Sequence, residues 1–212
     1  MAGTIASFPT AFGFLPAPRC GIEAAGLKPG ETLLLIGAGG GVGSAAAQIA
    51  RRLGARVIGA DRRPPLPDAP IRAIAEKLIV GAEDLPAQVR AATGDKRADV
   101  VLDLVGGVMF RSALKCLALR GRLVEIAATG QREVSFDLAD FYHNESRLFG
   151  VDTFKRDLAA SAEVLDALTP GFVAGDYRAA PIEKTCRLGD AQQAYRKVAA
   201  GAAGRIVLRP QE

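Results

Sequence analysis

The chain has 212 residues, 49% of them hydrophobic and 24% charged, proportions that suit one or two globular domains with a proper core and exclude an intrinsically disordered chain. Its apolar runs, such as 33–36 and 100–102, are too short to span a bilayer, and the N-terminus lacks a charged stretch followed by an apolar block, so we expect a cytoplasmic protein with no membrane partner. The formal net charge of +4 comes from Lys and Arg scattered among acids, which argues against a nucleic-acid partner and fits a small anionic ligand.

Residues 1–30 carry Pro9, Pro16, Pro18 and Pro29 and are expected to be irregular, with at most a short helix near 21–25. From 32 to 122 a short apolar run, a turn and a stretch of helical spacing recur, the sequence form of successive βα units and hence of a parallel sheet. Strands are predicted at 32–36, 56–60, 77–80, 99–104, 122–127 and 148–152. Helices are predicted at 42–53, 85–93, 109–117, 158–168 and 190–200. Residues 62–70 hold four prolines and must be irregular before a helix restarts. Two further strands are predicted at 178–188 and 204–209, outside the main series and in need of a partner surface.

The first predicted strand runs straight into Gly37, Ala38, Gly39, Gly40, Gly41, Val42 and Gly43, and a helix-forming run follows at once. A pyrophosphate needs N–H donors with no side chain in the way, and a helix start offers unpaired donors at the positive end of its dipole. A glycine turn that merely joins strand to helix would be a costly alternative, because five glycines in seven residues lose much entropy on ordering. Gly40 and Gly43 are read as the positions of backbone approach and helix-to-strand packing, so a bulky residue at either is expected to abolish ligand binding while the fold survives.

The second strand ends on Asp61, about 20 residues beyond the turn, where a carboxylate accepts ribose hydroxyls. An ordinary turn residue before Pro64 would be the commoner reading of that Asp alone. Together the two features define a dinucleotide-binding α/β fold of the Rossmann type, a doubly wound parallel sheet in three layers, with NAD or NADP as the cofactor. Asp61 favours NAD, because its charge repels a 2′-phosphate; Arg62, with Arg63, is the candidate for holding such a phosphate if the cofactor is NADP, but both are flexible and can point to solvent, and a solvated turn is their plainer reading. Beyond the carboxyl ends of the later strands, Val105, Gly106, Ala127, Ala128, Gly150 and Val151 are candidates for the rest of the ligand crevice.

These residues resemble the cofactor-binding half of a medium-chain dehydrogenase/reductase, in particular its zinc-free quinone oxidoreductase branch. The match is carried by 25–31 leading into the glycine turn, by 98–107, and by the ending 203–208, Ala-Gly-Arg-Ile-Val-Leu. The resemblance implies hydride transfer to a quinone, enone or carbonyl substrate. It also implies that the barrel-like first domain, which builds much of the substrate pocket, is not part of this chain. The stretch 7–12 resembles the junction between the two domains, without the Cys that precedes it in the zinc branch. We therefore expect no zinc, weak or no turnover by the chain alone, and exposed edges on the last two strands; the chain would be a partner of a missing first domain or of another subunit in a homo-oligomer. The organisation read from this is an irregular segment at 1–30, a dinucleotide-binding domain at 31–153, and helices and strands at 154–212 packing on it.

Other chemistry finds little support. His143 is the only histidine and has no ligand-spaced companion, so neither a metal site nor a Ser-His-Asp set can be built on it. Cys20, Cys116 and Cys186 are odd in number and far apart, which suits buried thiols better than disulfides or a zinc module. No Tyr is followed four residues later by Lys, as the short-chain reductases require. A methyltransferase also uses a glycine turn and an acid after the second strand, but its adenosyl ligand has no phosphate to cradle. The class opposed to an oxidoreductase is a catalytically silent module that keeps the dinucleotide site.

Overall fold

The computed structural model describes residues 18–81, 83–152, 157–202 and 204–210; the junction read at 7–12 lies outside them. Strands β1 (Thr32–Ile36), β2 (Arg56–Asp61), β3 (Lys77–Val80), β4 (Ala98–Asp103), β5 (Leu117–Glu125) and β6 (Arg147–Gly150) form one sheet in the order β3-β2-β1-β4-β5-β6. All five pairings are parallel. The chain winds outward from β1 in one direction and from β4 in the other, so a crevice opens between the ends of these two strands, where ligands bind in such sheets. Every residue of β1 is buried, as expected of a central strand covered on both faces.

Helices are α1 (Pro18–Glu23, a π-helical turn), α2 (Gly41–Arg52), α3 (Ile71–Ile74), α4 (Leu85–Thr93), α5 (Phe110–Lys115), α6 (Leu138–His143), α7 (Leu158–Val173) and α8 (Ala191–Ala199). On one face, Leu33, Leu35, Val100 and Leu102 pack with the alanines of α2, Ile71 of α3, and Val164 and Leu168 of α7. On the other, Leu34, Ile36, Val101 and Leu123 meet Leu85 and Val89 of α4 and Phe110 and Ala113 of α5. This is the three-layer arrangement expected from the sequence.

Three departures have identifiable causes. Helix α7 runs past the expected stop at 168 and through Pro170 to Val173, because Phe172, stacked edge-on to Tyr177 at 5.3 Å between ring centroids, packs on the core and tertiary burial overrides the break. Helix α6 was not foreseen, although Asp137 caps it by accepting the N–H of Ala139 at 2.8 Å, a recognisable start signal. Strand β5 begins at Leu117 rather than 122, by pairing Leu117 with Ala98 before a register irregularity, and ends at Glu125, so that Ala127 and Ala128 lie in a loop.

The last two strands are β7 (Ile182–Arg187) and β8 (Arg205–Arg209). They pair with each other, in parallel, as a separate two-stranded sheet. Exposed apolar side chains remain there, including Ile182 and Leu188. A buried amide ties this region to α2: Gln48 Oε1 accepts the Arg178 N–H at 2.6 Å and its Nε2 donates to the Arg178 carbonyl at 3.1 Å.

Candidate functional site

Two turns flank the crevice between β1 and β4. In the first, the N–H groups of Gly37 and Ala38 both reach the Ala60 carbonyl, at 2.9 and 3.1 Å, and Gly40 closes the turn onto the Gly37 carbonyl at 3.2 Å. Gly40 is then the N-cap of α2 in extended conformation, with no side-chain cap. The first bond of the helix runs from Ser44 N to Gly40 O at 2.9 Å, which leaves the N–H groups of Gly41, Val42 and Gly43 without an internal acceptor, as helix geometry dictates. These three donors and the positive end of a 12-residue helix form a cradle for an anion.

Gly40 and Gly43 differ in what they permit. A Cβ on Gly40 would meet nothing closer than the Gly37 carbonyl at 3.4 Å, whereas on Gly43 it would stand 2.5 Å from that oxygen and 2.8 Å from Ala38 Cα. Gly43 is therefore the packing glycine, where α2 touches the turn that leads into it from β1. The expectation that the fold survives a bulky residue at both positions holds for Gly40 and is corrected for Gly43.

Asp61, at the end of β2, is half-buried and accepts the Gly39 N–H on Oδ2 at 2.9 Å. It thus belongs to the glycine turn, and its other oxygen, Oδ1, accepts the Arg63 N–H at 3.4 Å. Arg62 is exposed, but Arg63 is not simply solvated: its Nη2 donates to the Gly201 carbonyl at 2.6 Å. A solvated turn therefore describes Arg62 but not the guanidinium of Arg63.

The second turn follows β4. Asp103 is fully buried, and its Oδ1 accepts the N–H of Val105 at 2.9 Å and of Gly106 at 2.8 Å. Gly106 has φ +63, and a Cβ there would collide with the Ala127 carbonyl, so only glycine fits. Gly106 bridges Ala128 and Thr129 N donates to the Val105 carbonyl at 2.9 Å; in this way Val105, Gly106, Ala127 and Ala128 come together. Gly37 packs against this turn, 3.4 Å from Val105 Cγ2 at its Cβ position. Gly150 ends β6 beside Glu125, and Val151 N donates to the Glu125 carbonyl at 3.1 Å, one strand further from the crevice.

Two residues escaped the sequence reading. Arg205 of β8 puts Nη2 3.0 Å from the Cβ position of Gly41, beside the anion cradle; its burial lowers the guanidinium pKa. It stands in the chain-terminal stretch whose resemblance was noted, the one signal that pointed to it. Glu125, the register partner of Asp103, has both oxygens buried and unpartnered. A cavity of about 760 Å³ lies elsewhere: Arg90, Arg97, Arg111 and Lys115 line it beside α5 and α6. Among the described residues, no group of three or more His, Cys, Asp or Glu could hold a metal ion, and no helix is long and apolar enough to cross a membrane.

Comparison with known proteins agrees with this geometry. Residues 41–168 match the zinc-binding dehydrogenase family, and the chain belongs to that family, whose members include quinone oxidoreductases and alcohol dehydrogenases. It is 28% identical over 203 residues to a quinone oxidoreductase of Lama guanicoe, covering 92% of this chain and 59% of the relative. It is 38% identical over 112 residues to an NAD-dependent alcohol dehydrogenase of Saccharolobus solfataricus, covering 51% of this chain and 32% of the relative. Among solved structures, a mycobacterial protein complexed with NADPH superposes with a TM-score of 0.82 at 23% identity, covering 97% of this chain and 64% of that one. The chain thus spans from about a third to under two thirds of the length of these proteins, and the fold is that of the dinucleotide half.

Proposed function

We propose that this chain binds a nicotinamide dinucleotide, NAD(H) in preference to NADP(H), as the cofactor half of an oxidoreductase. The observation that carries this reading is the set of unpaired N–H groups on Gly41, Val42 and Gly43 at the end of β1, opening where the strand order reverses. Those donors, with Arg205 beside them, would hold the pyrophosphate. Asp61 would accept the hydroxyls of the adenosine ribose, and Val105, Gly106, Ala127 and Ala128 would line the path towards the nicotinamide, with Gly150 and Val151 beyond.

A bound nicotinamide would supply the hydride; the chain would supply its binding and orientation. The reaction class we assign is hydride transfer to a quinone, enone or carbonyl substrate, in line with the family and with the quinone oxidoreductase relative. No side chain of the crevice is needed as an acid or base for the hydride step itself.

The test is direct titration of the purified chain with NADH and NADPH, followed by turnover on small quinones. Saturable NADH binding that is lost in Gly40→Val, with the fold intact by circular dichroism, supports the reading. Equal affinity in Gly40→Val refutes the pyrophosphate position. Binding without turnover identifies a cofactor module that needs a first domain or another subunit to act.

A further inference from the structure

The glycine turn and Asp61 leave one feature of the site unexplained, the pair of carboxyls beneath the second turn. Asp103 and Glu125 are register partners at the ends of β4 and β5, so their side chains leave the sheet on the same face. Asp103 Oδ2 and both Glu125 oxygens are buried with no hydrogen-bond partner. Three buried acceptors with nothing to accept would be costly, and two ionised carboxylates side by side costlier still. One shared proton removes the repulsion and pairs Asp103 Oδ2 with one Glu125 oxygen.

The proton belongs on Glu125. Two backbone N–H groups already stabilise the ionised form of Asp103 through Oδ1, whereas Glu125 receives no donor. Among the described residues, the neighbouring positions bring no other charge: Ile36 flanks Asp103 on β1 and Gly150 flanks Glu125 on β6, and neither loop, 104–109 or 126–130, has a titratable side chain. We propose that Glu125 is a positioning residue of the dinucleotide site: its protonated carboxyl donates to Asp103 Oδ2 and so holds Oδ1 fixed on the N–H groups of Val105 and Gly106. Glu125 touches no ligand; it acts through Asp103 on the turn that carries the crevice wall. This rests on the dinucleotide reading above.

Burial, and then the charge of Asp103, pushes the Glu125 carboxyl from its ordinary 4.5 up to about 8. Burial likewise raises Asp103, against the pull of its two N–H donors. The folded chain therefore holds a proton that the unfolded chain has released between these two values, and stability falls as pH rises across that interval. Above about 8 the pair becomes doubly charged and the turn loosens.

The experiment is an NADH titration of wild type and Glu125→Gln from pH 6.5 to 9. Glutamine keeps the donor at every pH. Wild-type affinity should fall at least tenfold across this range while Glu125→Gln stays flat and matches wild type at pH 6.5. Parallel pH profiles for the two proteins overturn the positioning role alone. Failure of every protein to bind NADH at any pH overturns the dinucleotide reading, and the role with it. The carbon-13 shift of the Glu125 carboxyl in the wild-type chain reads the same titration without a variant: a midpoint near 8 is expected, and one near the ordinary 4.5 refutes the shared proton.

Discussion

The Asp61 carboxylate accepts the N–H of Gly39 at 2.9 Å, so the end of β2 is tied to the glycine turn that ends β1. The acid that would select the ribose is held by the loop that would hold the pyrophosphate, and a change in one reaches the other.

Asp61→Asn keeps an oxygen for Gly39 but removes the charge. We expect NADH to bind about tenfold more weakly, a loss of about 1.4 kcal/mol, and the preference for NADH over NADPH to shrink. Should wild type bind NADPH at least tenfold tighter than NADH, Asp61 does not read the ribose, and Arg62→Ala should then weaken NADPH selectively.

The two glycines of the α2 start separate binding from folding. Gly40→Val should retain a native circular dichroism spectrum and melting transition yet lose NADH. Gly43→Val should unfold or melt far lower, because its side chain meets the Gly37 carbonyl and Ala38 Cα rather than open space. A Gly43→Val protein as stable as wild type would show that α2 can move off β1.

Arg205→Gln should raise the NADH dissociation constant about tenfold, within the range for loss of one charge-assisted hydrogen bond. Its affinity should also depend less steeply on salt than that of wild type. An unchanged titration curve would remove Arg205 from the site.

Gln48→Ala strips the N–H and C=O of Arg178 of their partners on α2. Leaving such groups unpaired should cost about 1–3 kcal/mol, measured by urea unfolding. A loss well under this would mean that the segment before β7 is held by other contacts.

Much of the central sheet was legible because its signals are local. Four leucine and isoleucine positions in a row bounded by a glycine turn, as at Thr32–Ile36, can be little else than a buried strand, and Asp61 falls where a second strand must stop. Capping signals are equally local: α4 occupies its predicted span from Leu85 to Thr93, closed by Gly94, and Asp137 marks the start of α6. Composition and spacing thus determined the α/β class, the order of the βα units and the position of the anion cradle.

What only the tertiary structure decided are relations between residues far apart in the chain. That β7 and β8 pair with each other, that Arg205 reaches Gly41 and Arg63 reaches Gly201, and that Pro170 sits inside a helix all follow from packing between distant segments, which no local pattern encodes. The pairing of Asp103 with Glu125 is of the same kind. Each acid alone reads as an ordinary strand-end residue, and it is the β4–β5 register, fixed by which hydrophobic residues face which helices, that buries them together and leaves one proton between them.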